Sequence, residues 1–267
     1  MPVVLDPARD ARLVAVREGM LGSVHSWELV TAVDGPGTRL TYFLSGCALR
    51  CLYCQNPDTW RLPDGMPTGI DEVKARIFRY APVLRATGGG LTVSGGEPLL
   101  QTAFLGRMLR YAKELGLHTA IDTSGFLGAR VSDAFLDDVD LVLLDVKSGL
   151  PETYRRVTGR DLAPTLAFGR RLADRGTAAI WVRYVLVPGL TDAVDNVDAV
   201  ADYVAELQQR GPGGVIERVE VLPFHQMGRD KWHQLGLAYQ LEDTEPPSAE
   251  LTERVRGQFR ARGLTVY

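Results

Sequence analysis

From residue 39 onward, short apolar runs alternate with amphipathic stretches. Segments 39–45, 91–94, 118–123, 141–146, 178–187 and 218–223 are rich in Val, Leu, Ile and Tyr. Most are almost continuously apolar, which suits strands buried on both faces of a parallel sheet. The stretches between them carry helical signals. Thr68-Gly-Ile-Asp71 reads as a capping box before Val73, Ile77 and Phe78. Phe104, Leu105, Met108, Leu109, Ala112 and Leu115 recur at helical spacing, and Gly116 can stop that helix. Residues 162–174 and 196–208 read as further helices. Ser248 caps a last one, with Leu251, Val255 and Phe259 on its face and Gly263 at its end. Residues 264–267 read as a final edge strand. Strand and helix alternating in this way is the pattern of an α/β fold. Right-handed crossovers then close the sheet fully or partly into a barrel.

The chain has 267 residues, of which 45% are hydrophobic and 24% charged. That fits a globular protein in one large domain, since α/β barrels routinely use this length in one piece. No apolar run approaches the ~20 residues of a membrane span. The formal net charge is −3, so the basic excess usual in a nucleic-acid binder is missing. Residues 1–20 alternate charged and apolar positions and lack the pattern of a secretory signal. They are expected to be an N-terminal extension to a single domain spanning 21–267, and the protein is expected to be a cytoplasmic monomer.

Cysteine sharpens the picture. The chain has three, all in Cys47-Ala-Leu-Arg-Cys51-Leu-Tyr-Cys54. An odd, tightly clustered set argues against a disulfide framework and for metal or redox chemistry. Three thiolates from one loop can wrap a 4Fe–4S cluster, which usually takes four cysteines. The fourth iron then has no protein ligand and is open to the amino and carboxylate groups of a small molecule. Zinc held by three cysteines and a histidine is the alternative, and it needs one of the sequence-distant His25, His118, His225 or His233. Three unrelated buried thiols are the remaining reading.

The Cys-x3-Cys-x2-Cys spacing after a first strand, with Tyr53 before the last cysteine, resembles the radical S-adenosylmethionine superfamily. Further motifs follow in order: Val33-Asp34-Gly35-Pro36-Gly37-Thr38-Arg39 before the cysteines, then Ser94-Gly95-Gly96-Glu97-Pro98, Asp122-Thr123-Ser124-Gly125, Leu144-Asp145-Val146-Lys147, Trp181-Val182-Arg183-Tyr184 and Leu222-Pro223-Phe224-His225. Together they are similar to the glycyl-radical-enzyme activases of the pyruvate formate-lyase-activating type, from about residue 20 to the C-terminus.

The resemblance implies an open, partial (β/α)6 TIM-like barrel, the radical S-adenosylmethionine core. It implies that Cys47, Cys51 and Cys54 hold a 4Fe–4S cluster and that Gly96 and Glu97 meet the amino group of S-adenosylmethionine. It further implies cofactor contacts from Asp145, Val146, Lys147 and His225, with Tyr53 and Gln55 near the adenine. Close relatives have histidine where this chain has Gln55. Asp122, Thr123 and Asp145 would help hold a monovalent cation, Na or K, and Arg183 would touch substrate or cofactor. The implied reaction is reductive cleavage of S-adenosylmethionine to methionine and a 5′-deoxyadenosyl radical, which takes hydrogen from a glycine of pyruvate formate-lyase. With three cysteines there is no second cluster, so flavodoxin or ferredoxin would supply the electron. The alternatives are a radical enzyme acting on a small molecule, such as a deazapurine synthase, and an activase of another glycyl radical enzyme.

Overall fold

The computed structural model describes residues 7–31 and 34–267. Its centre is one eight-stranded sheet. The strands are β1 (Leu21–Thr31), β2 (Thr38–Leu44), β3 (Met66–Gly69), β4 (Gly90–Gly95), β5 (His118–Thr123), β6 (Leu141–Asp145), β7 (Ala179–Leu186) and β8 (Ile216–Pro223), in the order β3-β1-β2-β4-β5-β6-β7-β8. From β2 to β8 every neighbouring pair is parallel, whereas β1 is antiparallel to both β2 and β3. Among the described residues β3 and β8 do not pair, so the curved sheet stays open.

The helices are α1 (Pro7–Arg17), α2 (Ile70–Ala86), α3 (Thr102–Glu114), α4 (Asp133–Leu136), α5 (Pro151–Thr158), α6 (Ala163–Arg175), α7 (Val194–Gln208), α8 (Arg229–Gln234) and α9 (Ala249–Arg260). Alternation along the strands divides the sheet into two faces. Val93, Ile121, Val142, Leu144, Ile180 and Val182 belong to the main core, with Met108 of α3, Leu172 of α6, Val204 of α7 and Phe259 of α9. The other face changes character along the strands. Ala120, Leu141, Leu143 and Trp181 form a separate apolar floor. Two residues further along, the same face carries Asp122, Asp145 and Arg183, and the register sets Asp145 beside Arg183 and Arg183 beside Glu220. Charge therefore collects at the carboxyl ends of the strands, above a dry floor.

The six apolar segments of the sequence are the six parallel strands, with ends shifted by no more than two residues. β1, β3, α1, α4, α5 and α8 were not expected. β1 lacks the continuous apolar run because Trp27, Glu28 and Leu29 are exposed. The capping box does not form: Gly69 is the N-cap of α2 without a side-chain bond, and the Thr68 hydroxyl donates to the Met66 carbonyl within β3. Phe78 is 64% exposed and so is not on the buried stripe of α2. Ser248 does cap α9, accepting from the Leu251 amide. Residues 264–267 reach the sheet only through a single bridge of Val266 to Val219. Val33 lies outside the described residues.

The turn from β6 into α5 is fixed by one buried side chain. Asn196 of α7 accepts from the Ser148 hydroxyl and the Gly149 and Leu150 amides, and donates to the Tyr184 hydroxyl and the Thr191 carbonyl. Asn196→Ala removes all five hydrogen bonds and leaves the Gly149 amide without its partner, at a cost of about 2–4 kcal/mol. Urea denaturation should show a lower midpoint with an unchanged slope; a midpoint equal to the parent's would contradict this.

Candidate active site

The carboxyl ends of the strands open onto a cavity of about 320 Å³, within the range of small-molecule sites. Cys47, Cys51 and Cys54 all line it, from the loop between β2 and β3. Backbone hydrogen bonds pin that loop at several points. Gly46 and Cys47 donate to the carbonyls of Thr59 and Trp60, and Arg50 and Leu52 donate to those of Thr158 and Val157 at the end of α5. The Trp232 indole donates to the Cys54 carbonyl at 2.9 Å, and Trp60 packs edge-on against Trp232 with ring centres 5.0 Å apart. Lys231 bonds Asn56 and Asp58, which fixes α8 to the far end of the loop.

The opposite wall is polar and charged. The Lys147 ammonium lies 2.6 Å from Asp145 Oδ2 and 5.7 Å from the Tyr53 ring centre. Burial alone would lower the Lys147 pKa, but the groups around it, Asp145 foremost, together hold the ammonium well above its ordinary value. Arg183 sits among Glu220, Asp122 and Asp34 at 3.1, 3.3 and 3.4 Å. Burial raises the Asp122 carboxyl to about 6, against the pull of Arg183. Asp122 Oδ2 accepts from Ser94, whereas Oδ1 is buried with no hydrogen-bond partner.

The Gly95-Gly96-Glu97 turn brings two strands into close approach. Gly95 has φ +115°, and a Cβ on Gly96 would stand 2.3 Å from the Gly46 carbonyl oxygen. Gly96 lines the cavity, but Glu97 does not. The Glu97 carboxylate is 1% exposed and accepts from the Leu99 and Ser124 amides and the Thr123 and Ser124 hydroxyls. Those donors use its capacity, so Glu97 holds the wall in place and is not free to meet an ammonium. Val146 is likewise turned away, fully buried in the main core; only its backbone stays near the wall, donating to the Arg183 carbonyl.

The other expected residues converge. Tyr53, Gln55, Gly96, Asp122, Thr123, Asp145, Lys147, Arg183 and His225 all line the cavity with the cysteines. The Gln55 amide donates to the His225 carbonyl at 3.2 Å, so the cysteine loop is tied to the segment after β8. The Thr123 hydroxyl is committed to Glu97, and Asp145 to Lys147. Sequence reading missed Trp60, Asn56 and Ser94 on the cavity wall. Each sits within two motifs' reach, but no spacing marks its side chain as facing inward.

The donor set suits a multi-iron cluster. Burial pushes the Cys47 thiol up to about 12 and raises Cys51 and Cys54 as well. A cationic centre bound there would deprotonate the thiols that coordinate it. A single ion fits less well: among the described residues no three His, Cys, Asp or Glu side chains converge on one metal position. His25 bonds Asp58, His233 bonds Glu242 and His118 faces Arg39, so these histidines are engaged elsewhere. Among the described residues, the Tyr53 hydroxyl and Asp122 Oδ1 are buried cavity-lining polar atoms without a hydrogen-bond partner.

Comparison with known proteins agrees with this chemistry. A family profile described as the Radical SAM superfamily matches residues 41–202. The chain is 37% identical over 249 residues to the pyruvate formate-lyase 1-activating enzyme of Escherichia coli strain K12, covering 92% of this chain and 98% of that protein. It is 41% identical over 236 residues to the pyruvate formate-lyase-activating enzyme of Staphylococcus aureus strain USA300, covering 86% and 91%. Among solved structures, a domain of a pyruvate formate-lyase-activating enzyme from Bacteroides vulgatus superposes with a TM-score of 0.53 at 24% identity, covering 67% of this chain and 98% of that one. A radical SAM methyltransferase from Sphaerobacter thermophilus gives 0.59 at 19% identity, covering 99% and 81%. At those identities the structures share the fold. The chain belongs to the radical S-adenosylmethionine superfamily and, within it, to the pyruvate formate-lyase-activating enzymes.

Proposed function

We propose that this protein generates the glycyl radical of a pyruvate formate-lyase-type enzyme. The observation that carries the reading is the convergence of Cys47, Cys51 and Cys54 with Gly96, Asp145, Lys147 and His225 around one cavity. Identity to two activating enzymes over most of the chain favours it over a radical enzyme acting on a small molecule. The catalytic unit spans residues 21–267, with 1–20 as an extension, and works as a monomer in the cytoplasm. Among the described residues no helix is long and apolar enough to cross a membrane.

When bound, the 4Fe–4S cluster and S-adenosylmethionine supply one-electron cleavage of a carbon–sulfur bond and a carbon radical able to take a glycine hydrogen. The chain's own residues position that chemistry. Cys47, Cys51 and Cys54 would hold the cluster, with fewer cysteines than the usual four. Gly96 gives the methionine amino group access to backbone. Lys147 neutralises carboxylate charge while Asp145 fixes its ammonium. Tyr53, Gln55 and His225 border the nucleoside end. Asp122, Thr123 and Asp145 would ligate a monovalent cation, with the unpartnered Asp122 Oδ1 as the anchoring oxygen. The apolar floor below the charges keeps bulk water out of that end of the site. The open sheet between β3 and β8 is the route for an extended glycine loop. Reacting atoms must come within about 3–3.5 Å, so the loop has to leave its own fold.

The test is anaerobic incubation of reduced, iron-reconstituted protein with S-adenosylmethionine and pyruvate formate-lyase. A glycyl doublet in the paramagnetic resonance spectrum is expected, and its absence in a competent assay contradicts the reading. Serine at Cys47, Cys51 or Cys54 should reduce the doublet to background. A variant that keeps parental signal would remove that cysteine from the cluster. Lys147→Met should weaken S-adenosylmethionine binding roughly tenfold, about 1.4 kcal/mol, as measured by calorimetry. Unchanged affinity would show that Lys147 serves only Asp145.

A further inference from the structure

The cysteine loop and α5 meet along a backbone seam, in which Arg50 and Leu52 donate to the carbonyls of Thr158 and Val157. Three arginines lie on the two segments that form that seam. Arg50 lies inside the cysteine motif, Arg156 on α5, and Arg160 just beyond it, its Nε donating to the Ala48 carbonyl at 2.8 Å. All three are exposed. None forms an ion pair with a carboxylate among the described residues, although nearby Arg155 pairs with Asp161. Three guanidiniums without a carboxylate partner, beside the exposed Glu152 and Asp161 of the same segment, stand out on a chain of net charge −3. None of the three arginines lines the cavity, so the face is separate from the surface that holds the small molecule.

The face is also electronically close to the sulfurs. Arg50 is the residue before Cys51, and its guanidinium lies 4.9 Å from the centre of the Trp60 ring. The same guanidinium donates to the Cys47 carbonyl at 2.8 Å, and Trp60 packs against Trp232, whose indole donates to the Cys54 carbonyl. The exposed cation thus touches the loop that carries the sulfurs. The reaction consumes one electron per cleavage, and three cysteines leave none for a second cluster, so the electron arrives from another molecule. Weak redox complexes bury little area and rely on charge to steer encounter.

We propose that Arg50, Arg156 and Arg160 form the docking face for an acidic one-electron carrier protein. The proposal rests on the functional reading above and deepens it by assigning the partner's surface. At this face the carrier's reduced group loses one electron and the cluster gains it, with no bond made or broken. Docking here leaves the open edge of the sheet to the glycine loop.

The experiment uses the iron-loaded full chain and flavodoxin hydroquinone. The rate of cluster bleaching is followed by stopped flow, with dithionite as a reductant that needs no docking. Arg156→Glu with Arg160→Glu should slow reduction by flavodoxin about tenfold at low salt, because reversed charges repel the encounter. The Lys versions of these positions should keep most of the rate, and dithionite should reduce every variant within about twofold of the parent. The parental flavodoxin rate should fall with ionic strength. A parental rate indifferent to salt, or charge-reversed variants that match the parent with flavodoxin, overturns the proposal. Variants normal with flavodoxin but defective in dithionite-driven glycyl radical formation would assign the face to the glycyl radical enzyme, which also overturns it. If the parent itself fails to cleave S-adenosylmethionine with dithionite, the functional reading fails and this proposal falls with it.

Discussion

Three sulfurs held within eight residues of chain and largely shielded from water are the constraint on which the rest of the site depends. A loop free to relax would turn them apart. This one cannot, because its backbone is tied to residues 59–60 on one side and to the end of α5 on the other. Trp232 holds the Cys54 carbonyl from α8, and Lys231 holds Asn56. Each tie comes from a different part of the chain, so the loop's shape is a property of the whole fold. Asn196 contributes at one remove, since it fixes the turn that places α5 against the loop.

Strand alternation supplies the second half of the site. The same inward-facing positions that bury Leu141 and Leu143 below present Asp145 above, and Trp181 gives way to Arg183. Opposed charges on neighbouring strands then neutralise one another in pairs. Arg183 serves Asp34, Asp122 and Glu220 together, and Lys147 serves Asp145. Glu97 works from behind: three of its four donors come from Thr123 and Ser124, and both of those residues line the cavity. Preorganised polar groups in a partly dry cavity are what a charged, reactive cofactor requires.

Much of this was legible in the sequence for a physical reason. Parallel strands are buried on both faces, so β2, β4, β5, β6, β7 and β8 announce themselves as apolar runs. β1 and β3 sit at one edge with exposed residues, and nothing in their composition separates them from loop. Phe78 fits a helical stripe but points to solvent, because spacing gives a face and not its neighbours. The site residues were legible as motifs, since Cys47, Gly96, Asp145 and His225 lie at strand ends. Side-chain direction was not: Glu97 and Val146 belong to motifs yet face away from the cavity. Pairings such as Arg183 with Asp34 join residues 149 positions apart, and only the fold brings them together.

The central claim is that three cysteines leave one iron of a 4Fe–4S cluster free to bind S-adenosylmethionine. Mössbauer spectroscopy of protein reconstituted with ⁵⁷Fe, before and after addition of S-adenosylmethionine, tests it most directly. The account predicts that one iron site in four changes its isomer shift on addition while the other three hold theirs. Four sites that all stay unchanged, or a preparation that binds zinc and never acquires iron, would contradict it.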